Sequence, residues 1–367
     1  MILVENLIKT LKKNKINFFT GVPDSILKNL SYYLETIPKH KHIIATNEGS
    51  AASIGIGYYL STKKIPCVYM QNSGFGNSIN PLISIANQQV YSIPLLLIIG
   101  WRGSPKTSDE PQHQAKGKIT TDLLKLLKIN YCVLRKEKDL KNLNKIIKLA
   151  TKKNRIVACL VEKKTLGLKK KLRKKESSSY ILRSDFIKEF LKLIPNKSKI
   201  ISTTGYTSRE LMQIRKQTNS QKGKDFYMVG GMGHSSSVAA GYAISSNSKV
   251  FCLDGDGSIL MHLGPLRTIG YLNRKNFKHI ILNNNSHESV GGQTTTASGI
   301  DFKKLAFSMG FKNFFQIKSK KQIKEVLKKF IKINGPSLLE TKIRNGSIKN
   351  LLRPKKLIEI KKNFMKN

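Results

Sequence analysis

The sequence predicts an α/β protein of two similar domains, each a mainly parallel sheet flanked by helices. Short apolar runs alternate with stretches whose apolar residues recur every three or four positions, as expected for strands connected by helices. The alternation occurs twice, and a Lys-rich stretch that ends in three serines separates the two series. We therefore predict a first domain over residues 1–165, a basic linker over 166–180 and a second domain over 181–367.

The first domain opens with an amphipathic helix, because the apolar residues near the N-terminus recur at helical spacing. The apolar runs that follow predict strands at 16–19, 42–45, 65–70, 94–99, 131–134 and 155–161. The segments between them predict helices at 25–34, 49–60, 80–89, 120–127 and 140–151. Such alternation favours a parallel sheet covered by helices.

The second domain repeats this pattern, beginning with a helix at 184–193. Its predicted strands are 199–202, 226–229, 249–253, 278–282, 313–317 and 337–343, and a last short helix is predicted at 355–363.

Length and composition indicate a globular protein, since 367 residues can form two domains that each bury a core. The longest apolar run, 93–101, is too short to span a bilayer. The N-terminus lacks the uninterrupted apolar core of a signal peptide, and four widely spaced cysteines suit neither CxxC metal pairs nor a disulfide framework. We expect a cytoplasmic protein without a membrane partner.

The formal net charge of +44 has two interpretations. Phosphate neutralisation by a nucleic-acid or membrane-surface binder is one. Compositional drift in an AT-rich genome is the other, and we favour it because Lys, Asn and Ile crowd every segment and because no RNP-like motif, zinc finger or helix-turn-helix signature is present. A basic surface would still attract a small anionic substrate.

The most specific chemical signal is an Asp between two glycines, Gly255-Asp256-Gly257, directly after a predicted strand. A strand that ends in this way before a helix presents backbone N–H groups where a phosphate can approach. By itself the triplet is more often a tight turn whose Asp caps the next helix. The next strand ends in Asn283-Asn284, and because neighbouring parallel strands open at one edge, we predict oxygen ligands for Mg²⁺ there.

These residues resemble the GDG…NN signature of the thiamine diphosphate enzymes. The resemblance implies that Asp256 and Asn284 are side-chain ligands of Mg²⁺ and that Ser286 contributes its carbonyl, with the register in the Asn run open by one residue. Gly231-Met232-Gly233 resembles the segment whose bulky residue wedges beneath the thiazolium, although Met232 is otherwise an ordinary core methionine. The implied cofactor-binding residues of the second domain are Thr204, Gly205, Met232, Gly233, Gly255, Asp256, Gly257, Ser258 and Asn284.

In the first domain, the stretch 45–52 resembles the segment that carries the family's glutamate. By this resemblance, Glu48 hydrogen-bonds the aminopyrimidine of the cofactor and enables removal of its C2 proton. Such chemistry needs a buried carboxylate whose protonation is set by desolvation and by its partner. Otherwise Glu48 is a first-turn glutamate favoured by the helix dipole.

Four further stretches, 20–25, 70–77, 109–113 and 287–293, resemble the thiamine diphosphate-dependent 2-oxo acid decarboxylases and, among them, the phosphonopyruvate decarboxylases. The resemblance covers roughly residues 16–345, and it departs from the pattern at Gly231, where relatives have Ser, and at Asn285, where they have Gly. It implies acid/base roles for Asp24 and His113. Asp24 is otherwise an N-cap and His113 an exposed loop histidine.

The loop 101–117 has the Pro, Gly and Ser content of a lid, and its cations suit a substrate with two anionic groups. Backbone amides at Gly291-Gly292-Gln293 offer a second way to bind a phosphonate. The candidate substrate residues are Arg102, Lys106, His113, Gly291, Gly292 and Gln293.

The resemblance implies decarboxylation of 3-phosphonopyruvate to phosphonoacetaldehyde and CO2 with thiamine diphosphate and Mg²⁺, in phosphonate biosynthesis. It also implies a homodimer or larger homo-oligomer with active sites at subunit interfaces. Sulfopyruvate decarboxylation is the nearest alternative. A basic nucleic-acid-binding protein on an inactive enzyme fold is the alternative from another class.

Overall fold

Apolar runs that are buried along their whole length form the central strands of the protein. The computed structural model describes residues 1–105, 107, 109–169 and 180–366, without the side chains of Pro111 and Gln112. The chain divides into two compact units, one comprising Met1–Lys174 with His287–Gln293 and the other Lys175–Ser286 with Thr294–Asn367. Each contains a parallel sheet flanked by helices, which confirms the predicted α/β class.

The first unit is built on a six-stranded parallel sheet. In chain order its strands are β2 (Phe19–Gly21), β3 (His42–Ile44), β4 (Cys67–Gln71), β5 (Leu96–Gly100), β6 (Asn130–Leu134) and β7 (Val157–Val161). Their spatial order is β3-β2-β4-β5-β7-β6. Strands β5 and β7 are buried at every residue, as expected for a parallel sheet covered on both faces.

Helices cover this sheet and place the residues that follow each strand. They are α1 (Val4–Lys13), α2 (Lys28–Leu34), α3 (Glu48–Thr62), α4 (Phe75–Pro81), α5 (Pro111–Leu126) and α6 (Leu140–Lys153). Two short strands, β1 (Ile2–Leu3) and β8 (Leu166–Gly167), pair in parallel outside the main sheet. The sequence placed β8 in the linker, but Leu166 is buried in the core of the first unit.

The second unit repeats the architecture with the strand order β10-β9-β11-β12-β14-β13, again all parallel. The strands are β9 (Lys199–Ser202), β10 (Lys224–Tyr227), β11 (Val250–Gly255), β12 (Phe277–Asn283), β13 (Asn313–Ile317) and β14 (Ser337–Lys342). The helices are α7 (Arg183–Leu193), α8 (Tyr206–Thr218), α9 (Ser235–Ile244), α10 (Asp256–Met261), α11 (Gly264–Leu272), α12 (Phe302–Ser308), α13 (Ile323–Lys332) and α14 (Leu357–Met365). Because β11 and β12 are adjacent, the residues after both strands meet at one sheet edge.

Two predicted elements differ from the structure by more than a few residues. The helix expected at 80–89 begins earlier, with α4 at Phe75, and a wide helical turn at Leu82–Ala86 follows it. The loop expected over 101–117 ends at Pro111, which occupies the first turn of α5, where its missing N–H needs no partner. His113 and Lys116 therefore lie on a helix.

Among the described residues, no helix is both long enough and apolar enough to cross a membrane.

Lys278 on β12 is an unusual core residue, because it is fully buried. Its Nζ donates to the carbonyl of Ile333 at 2.6 Å and to Ser337 Oγ at 3.1 Å, and it lies 5.2 Å from the centroid of the Phe330 ring. Burial, with a smaller contribution from Lys249, lowers the pKa of Lys278 to about 7. The folded protein therefore holds this proton less tightly than the unfolded chain does.

We expect Lys278→Met to stabilise the protein at pH 7 and to lose this advantage as the pH rises. Between the folded pKa near 7 and the ordinary lysine value, the unfolded wild-type chain binds more protons than the folded one, so its free energy of unfolding rises with pH by roughly 1 kcal/mol per unit. Urea unfolding at pH 6.5, 8 and 9.5 measures the difference. Lys328→Met, at an exposed position of α13, should give a pH-independent difference; the same result for Lys278→Met would contradict the argument.

Candidate active site

Glu48 is a buried carboxylate of the first unit, at the first position of α3. Asn47 caps this helix by accepting a hydrogen bond from Ser50 N at 2.8 Å, which fixes the backbone at Glu48. The Glu48 side chain is 4% exposed, and its Oε2 accepts from Asn77 Nδ2 at 2.8 Å. A Cβ at residue 74 would lie 1.9 Å from Glu48 Oε1, so only Gly74 leaves room for the carboxylate.

Burial raises the pKa of Glu48, and Asn77 and the positive charge of Lys116 oppose the shift only in part. Glu48 is thus a carboxyl group that holds a proton more readily than a solvent-exposed glutamate. Because the same pairing favours the charged form of Lys116, whose pKa burial lowers, each group influences the protonation of the other.

Asp24 is a second buried carboxylate, fully enclosed after β2. Its Oδ1 accepts from the backbone N–H groups of Ile26 at 2.9 Å and Leu27 at 3.1 Å, and its Oδ2 accepts from Gln71 Nε2 at 2.5 Å. Burial raises the pKa of Asp24 despite these donors and the charge of Arg102. Asp24 therefore both holds the turn before α2 and offers a carboxyl group of raised pKa, so the geometry accommodates both interpretations made from the sequence.

Arg102 lies close to Asp24, but its guanidinium is already engaged. Nε donates to Asp109 Oδ2 at 2.6 Å and Nη2 to Asp109 Oδ1 at 2.5 Å, in the two-point geometry by which Arg binds a carboxylate. Ser25 Oγ accepts a further bond at 3.3 Å. Asp109 thus occupies the position that a substrate anion would take on Arg102. The other predicted cation, Lys106, lies outside the described residues.

His113 is partly buried near the start of α5. Burial, followed by the charge of Arg102, lowers the pKa of His113 to about 4, and its Nδ1 has no hydrogen-bond partner among the described residues. At neutral pH the imidazole is uncharged. His113 can therefore accept a proton or donate a neutral hydrogen bond, whereas Asp24, with its raised pKa, is the better proton donor.

Residues 287–293 form a tight turn that groups with the first unit. The N–H groups of Val290, Gly291 and Gly292 donate to the carbonyl of His287 at 3.0–3.2 Å, and Tyr32 Oη donates to the carbonyl of Gly291 at 2.9 Å. The amides of Gly291 and Gly292, which the sequence suggested as phosphonate donors, are therefore engaged within the turn.

Unlike the amides of Gly291 and Gly292, the side chain of Gln293 is available to bind a ligand. It is fully buried, and neither atom of its side-chain amide has a hydrogen-bond partner among the described residues. Leaving a buried polar atom unpaired costs about 1–3 kcal/mol. Such a group is available for a ligand that supplies the missing partner.

Asp256 is a buried carboxylate of the second unit, at the first residue of α10 and 2% exposed. Its Oδ1 accepts weakly from the backbone N of Asn284 at 3.4 Å, and its Oδ2 accepts from the hydroxyl of Thr295. Among the described residues it forms no ion pair, and burial raises the pKa of Asp256 to about 6, with Thr295 opposing the shift. A buried carboxylate of this kind is suited to bind a cation.

In the asparagine run, Asn284 lies beside Asp256 and Asn283 lies in the core. Asn283 is buried on β12, where its Nδ2 donates to Glu340 Oε1 at 2.7 Å. Asn284 lies at the strand end beside Asp256, which favours the predicted register. Asn285 has φ +54°, a left-handed conformation that Asn tolerates better than most residues, so its replacement of Gly is compatible with the turn.

Three loops of the second unit meet at Ser258. The Ser258 hydroxyl hydrogen-bonds Thr203 Oγ1 at 2.9 Å and accepts from Gly233 N at 3.1 Å, so it joins the ends of β9 and β11 to the loop before α9. A Cβ at residue 233 would lie 2.6 Å from the His262 ring, and the φ of +89° also favours Gly there. Met232 is half-buried in the same loop. Thr204 and Gly205 lie in the loop before α8, whereas Gly255, the last residue of β11, and Gly257, the second residue of α10, flank Asp256.

The donor set fits a hard cation and a diphosphate. Asp256, Asn284 and Ser286 offer oxygen ligands of the type that Mg²⁺ prefers. Asn285 Oδ1 and Ser286 Oγ are buried and have no hydrogen-bond partner in the described part of the chain, so they add polar atoms that a ligand could satisfy. The structure thus brings Asp256, Asn284 and the Ser258 loops to one edge of the second sheet, and Glu48, Asp24, Arg102 and His113 to the first unit.

Comparison with known proteins decides the family. A model of the N-terminal TPP binding domain of thiamine pyrophosphate enzymes matches residues 1–126, and a model of their C-terminal TPP binding domain matches residues 203–341. A phosphonopyruvate decarboxylase of Streptomyces viridochromogenes is 32% identical, over 97% of this chain and 92% of its own length. The chain belongs to the thiamine pyrophosphate-dependent decarboxylase family.

Two further members of this family match almost the whole chain. A phosphonopyruvate decarboxylase of Streptomyces hygroscopicus is 31% identical over 97% of this chain and 91% of its own length. A sulfopyruvate decarboxylase of Methanosarcina acetivorans is 27% identical over 94% and 92%. The family membership expected from the sequence is confirmed.

Several hydrogen-bond partners of the predicted site residues were missed in the sequence. Asn77 donates to Glu48, Gln71 to Asp24 and Thr295 to Asp256. Asn77 and Gln71 lie within the stretch 70–77 that carried the family resemblance, but nothing in their spacing indicated which carboxylate they contact. Thr295 lies in a run of three threonines, and only the fold places it against the end of β11.

Proposed function

We propose that the protein decarboxylates 3-phosphonopyruvate to phosphonoacetaldehyde and CO2, using thiamine diphosphate and Mg²⁺, as a step of phosphonate biosynthesis. The observation that carries the proposal is the full-length similarity to phosphonopyruvate decarboxylases, with buried carboxylates at the positions that the family resemblance selects. The basic composition of the chain suits a substrate with two anionic groups.

In this proposal Asp256, Asn284 and the carbonyl of Ser286 hold Mg²⁺, and the loops joined by Ser258 bind the diphosphate. When bound, thiamine diphosphate supplies a nucleophilic carbon and an electron sink for the loss of CO2. Met232 would support the thiazolium, and the Glu48 carboxyl would hold a proton for exchange with the aminopyrimidine. Burial suits Glu48 to this role, because it raises the pKa of the carboxyl.

Asp24 would be the proton donor, because burial raises the pKa of its carboxyl. Neutral His113 orients the reacting group or accepts a proton in the same unit. The unpartnered Gln293 amide binds an oxygen of the phosphonate or carboxylate, and Arg102 binds the other anionic group when Asp109 releases it.

The decisive experiment is a CO2-release assay with phosphonopyruvate, sulfopyruvate and pyruvate, each with and without thiamine diphosphate and Mg²⁺. We expect cofactor-dependent turnover with phosphonopyruvate preferred. Preference for sulfopyruvate would instead support the second candidate, which the Methanosarcina relative favours. Absence of turnover and of cofactor uptake, together with steeply salt-dependent DNA binding, would support a nucleic-acid-binding protein on an inactive fold.

Assembly is part of the proposal. Each unit carries part of the machinery, and we propose that a homodimer or larger homo-oligomer brings the parts together at subunit interfaces. Sedimentation at assay concentrations, combined with activity measured across a dilution series, tests this. A monomer with full activity would contradict it.

The Arg102–Asp109 pair gives a prediction about substrate affinity. Asp109→Asn removes the nearer of two carboxylates that pair with Arg102, the other being Glu110 at 3.5 Å, and should lower the KM for the anionic substrate about threefold to tenfold, since such a pair is worth about 1 kcal/mol. Steady-state kinetics measure this change. Arg102→Lys, which cannot form the two-point contact, should raise KM. An increased KM in Asp109→Asn would show that the pair only supports the fold.

A further inference from the structure

Asp254, the residue before the Gly-Asp-Gly triplet, is a buried carboxylate that the proposed reaction does not use. It is 1% exposed at the end of β11. Its Oδ1 accepts from Gly255 N at 2.9 Å, and its Oδ2 lies 3.4 Å from Nε2 of the fully buried His279 on β12. The contacts of Asp254 thus join the start of the triplet to the neighbouring strand.

Asp254 is linked through Ser258 to the three loops that meet at that residue. Ser258, the third residue of α10, interacts with the Asp254 carboxylate. Its hydroxyl also hydrogen-bonds Thr203 Oγ1 and accepts from Gly233 N. The Asp254 carboxylate is therefore enclosed, with Gly255 N and the His279 ring against its two oxygens, beneath the loops that carry the predicted diphosphate contacts.

We propose that Asp254 is a positioning residue that holds these loops in the geometry required to bind thiamine diphosphate. The inference rests on the proposed cofactor site but adds a residue that makes no contact with the cofactor. His279 orients the carboxylate from β12, and Ser258 transmits its position to Thr203 and Gly233. Without the carboxylate, Gly255 N and the Ser258 hydroxyl lose a charged acceptor.

Asp254→Asn tests the proposal by direct cofactor binding. We expect the Kd for thiamine diphosphate, measured by equilibrium dialysis in excess Mg²⁺, to rise about tenfold to a hundredfold, the effect of a hydrogen bond to a charged group. At saturating cofactor, kcat should stay within about threefold of wild type, because the reacting groups are untouched. The expected signature is an altered cofactor affinity with a nearly unchanged rate.

Asp225→Asn is the matched control. The Asp225 side chain is 4% exposed in the second unit, where it forms a two-point ion pair with Arg215, accepts from Tyr227 Oη and forms no hydrogen bond with the described residues of the three loops. It should lower thermal stability and leave the cofactor Kd unchanged. Equal Kd values in wild type, Asp225→Asn and Asp254→Asn would overturn the inference.

A second variant decides the case if Asp254→Asn does not fold. His279→Leu removes the neighbour of Asp254 Oδ2 but keeps the carboxylate, and a threefold or larger rise in Kd is then expected. An unchanged Kd would overturn the proposal. If wild type itself takes up no thiamine diphosphate, the proposed function fails, which is a separate outcome.

Discussion

Glu48→Gln is expected to lower the rate of cofactor-dependent CO2 release by about a hundredfold to ten-thousandfold, the range for loss of a positioned proton-transfer group. The substitution preserves size, and the amide oxygen of Gln can still accept the hydrogen bond from Asn77. What it removes is the titratable proton of a buried carboxyl group whose pKa burial raises. The fold and the cofactor Kd should therefore stay close to wild type while kcat falls.

The matched control is Glu5→Gln, which changes another first-turn glutamate of the same unit. Glu5 lies in α1 and accepts a long hydrogen bond from Lys169 N at 3.4 Å. Its replacement should leave kcat unchanged. Near-normal kcat in Glu48→Gln would remove Glu48 from the proton-transfer step and leave it as a helix-start residue stabilised by the dipole.

The fold was predictable because apolar runs and helical periodicity are local properties of the chain. Strands β9 and β13 coincide with the predicted segments, and most other strands differ from them by one to three residues. The errors occurred where tertiary contacts override local pattern. Pro111 starts a helix inside a segment rich in loop residues, and Leu166, predicted in the linker, is held by pairing with Ile2 at the other end of the first unit.

The site residues that lie at the ends of strands could be predicted from the sequence. Asp256 and Asn284 follow adjacent parallel strands, so their proximity could be inferred from topology. The engagement of Arg102 by Asp109 could not, because both residues belong to a cation-rich segment in which spacing does not select a pair. The turn at 287–293 likewise uses its own amides, which only the backbone conformation reveals.

Glu48 and Asp256 lie in similar positions in their units, so neither carboxylate alone identifies the reaction. Glu48 and Asp256 both occupy the first position of a helix that follows a strand, and burial raises the pKa of both. Their partners differ, since Glu48 has an amide donor and a nearby lysine, whereas Asp256 has a hydroxyl and a backbone N–H. The first arrangement suits proton exchange and the second suits a cation.

Asp256→Asn is expected to abolish Mg²⁺-dependent binding of thiamine diphosphate, with a loss in affinity of at least about a hundredfold, as for removal of one partner from a buried charge pair. The variant should also raise the melting temperature of the cofactor-free protein. At pH 7 the wild-type carboxylate is largely ionised and buried without an ion-pair partner among the described residues, and a neutral amide avoids that cost. Thermal unfolding with and without thiamine diphosphate and Mg²⁺ measures both effects.

In Asp256→Asn the affinity for the cofactor should fall while the melting temperature of the cofactor-free protein rises. These opposite changes distinguish a metal ligand from a residue that only supports the fold. If Asp256 only capped α10, its replacement by Asn would change the melting temperature slightly and leave the cofactor-induced increase intact. Asp301→Asn provides that comparison, because Asp301 is an exposed cap of α12 whose Oδ1 accepts from Lys303 N and Lys304 N at 2.9 and 3.0 Å. A cofactor-induced increase that survives in Asp256→Asn as it does in Asp301→Asn would exclude Asp256 as a metal ligand. Loss of the increase in Asp256→Asn alone would identify its carboxylate as the charge that holds the metal and the cofactor's diphosphate.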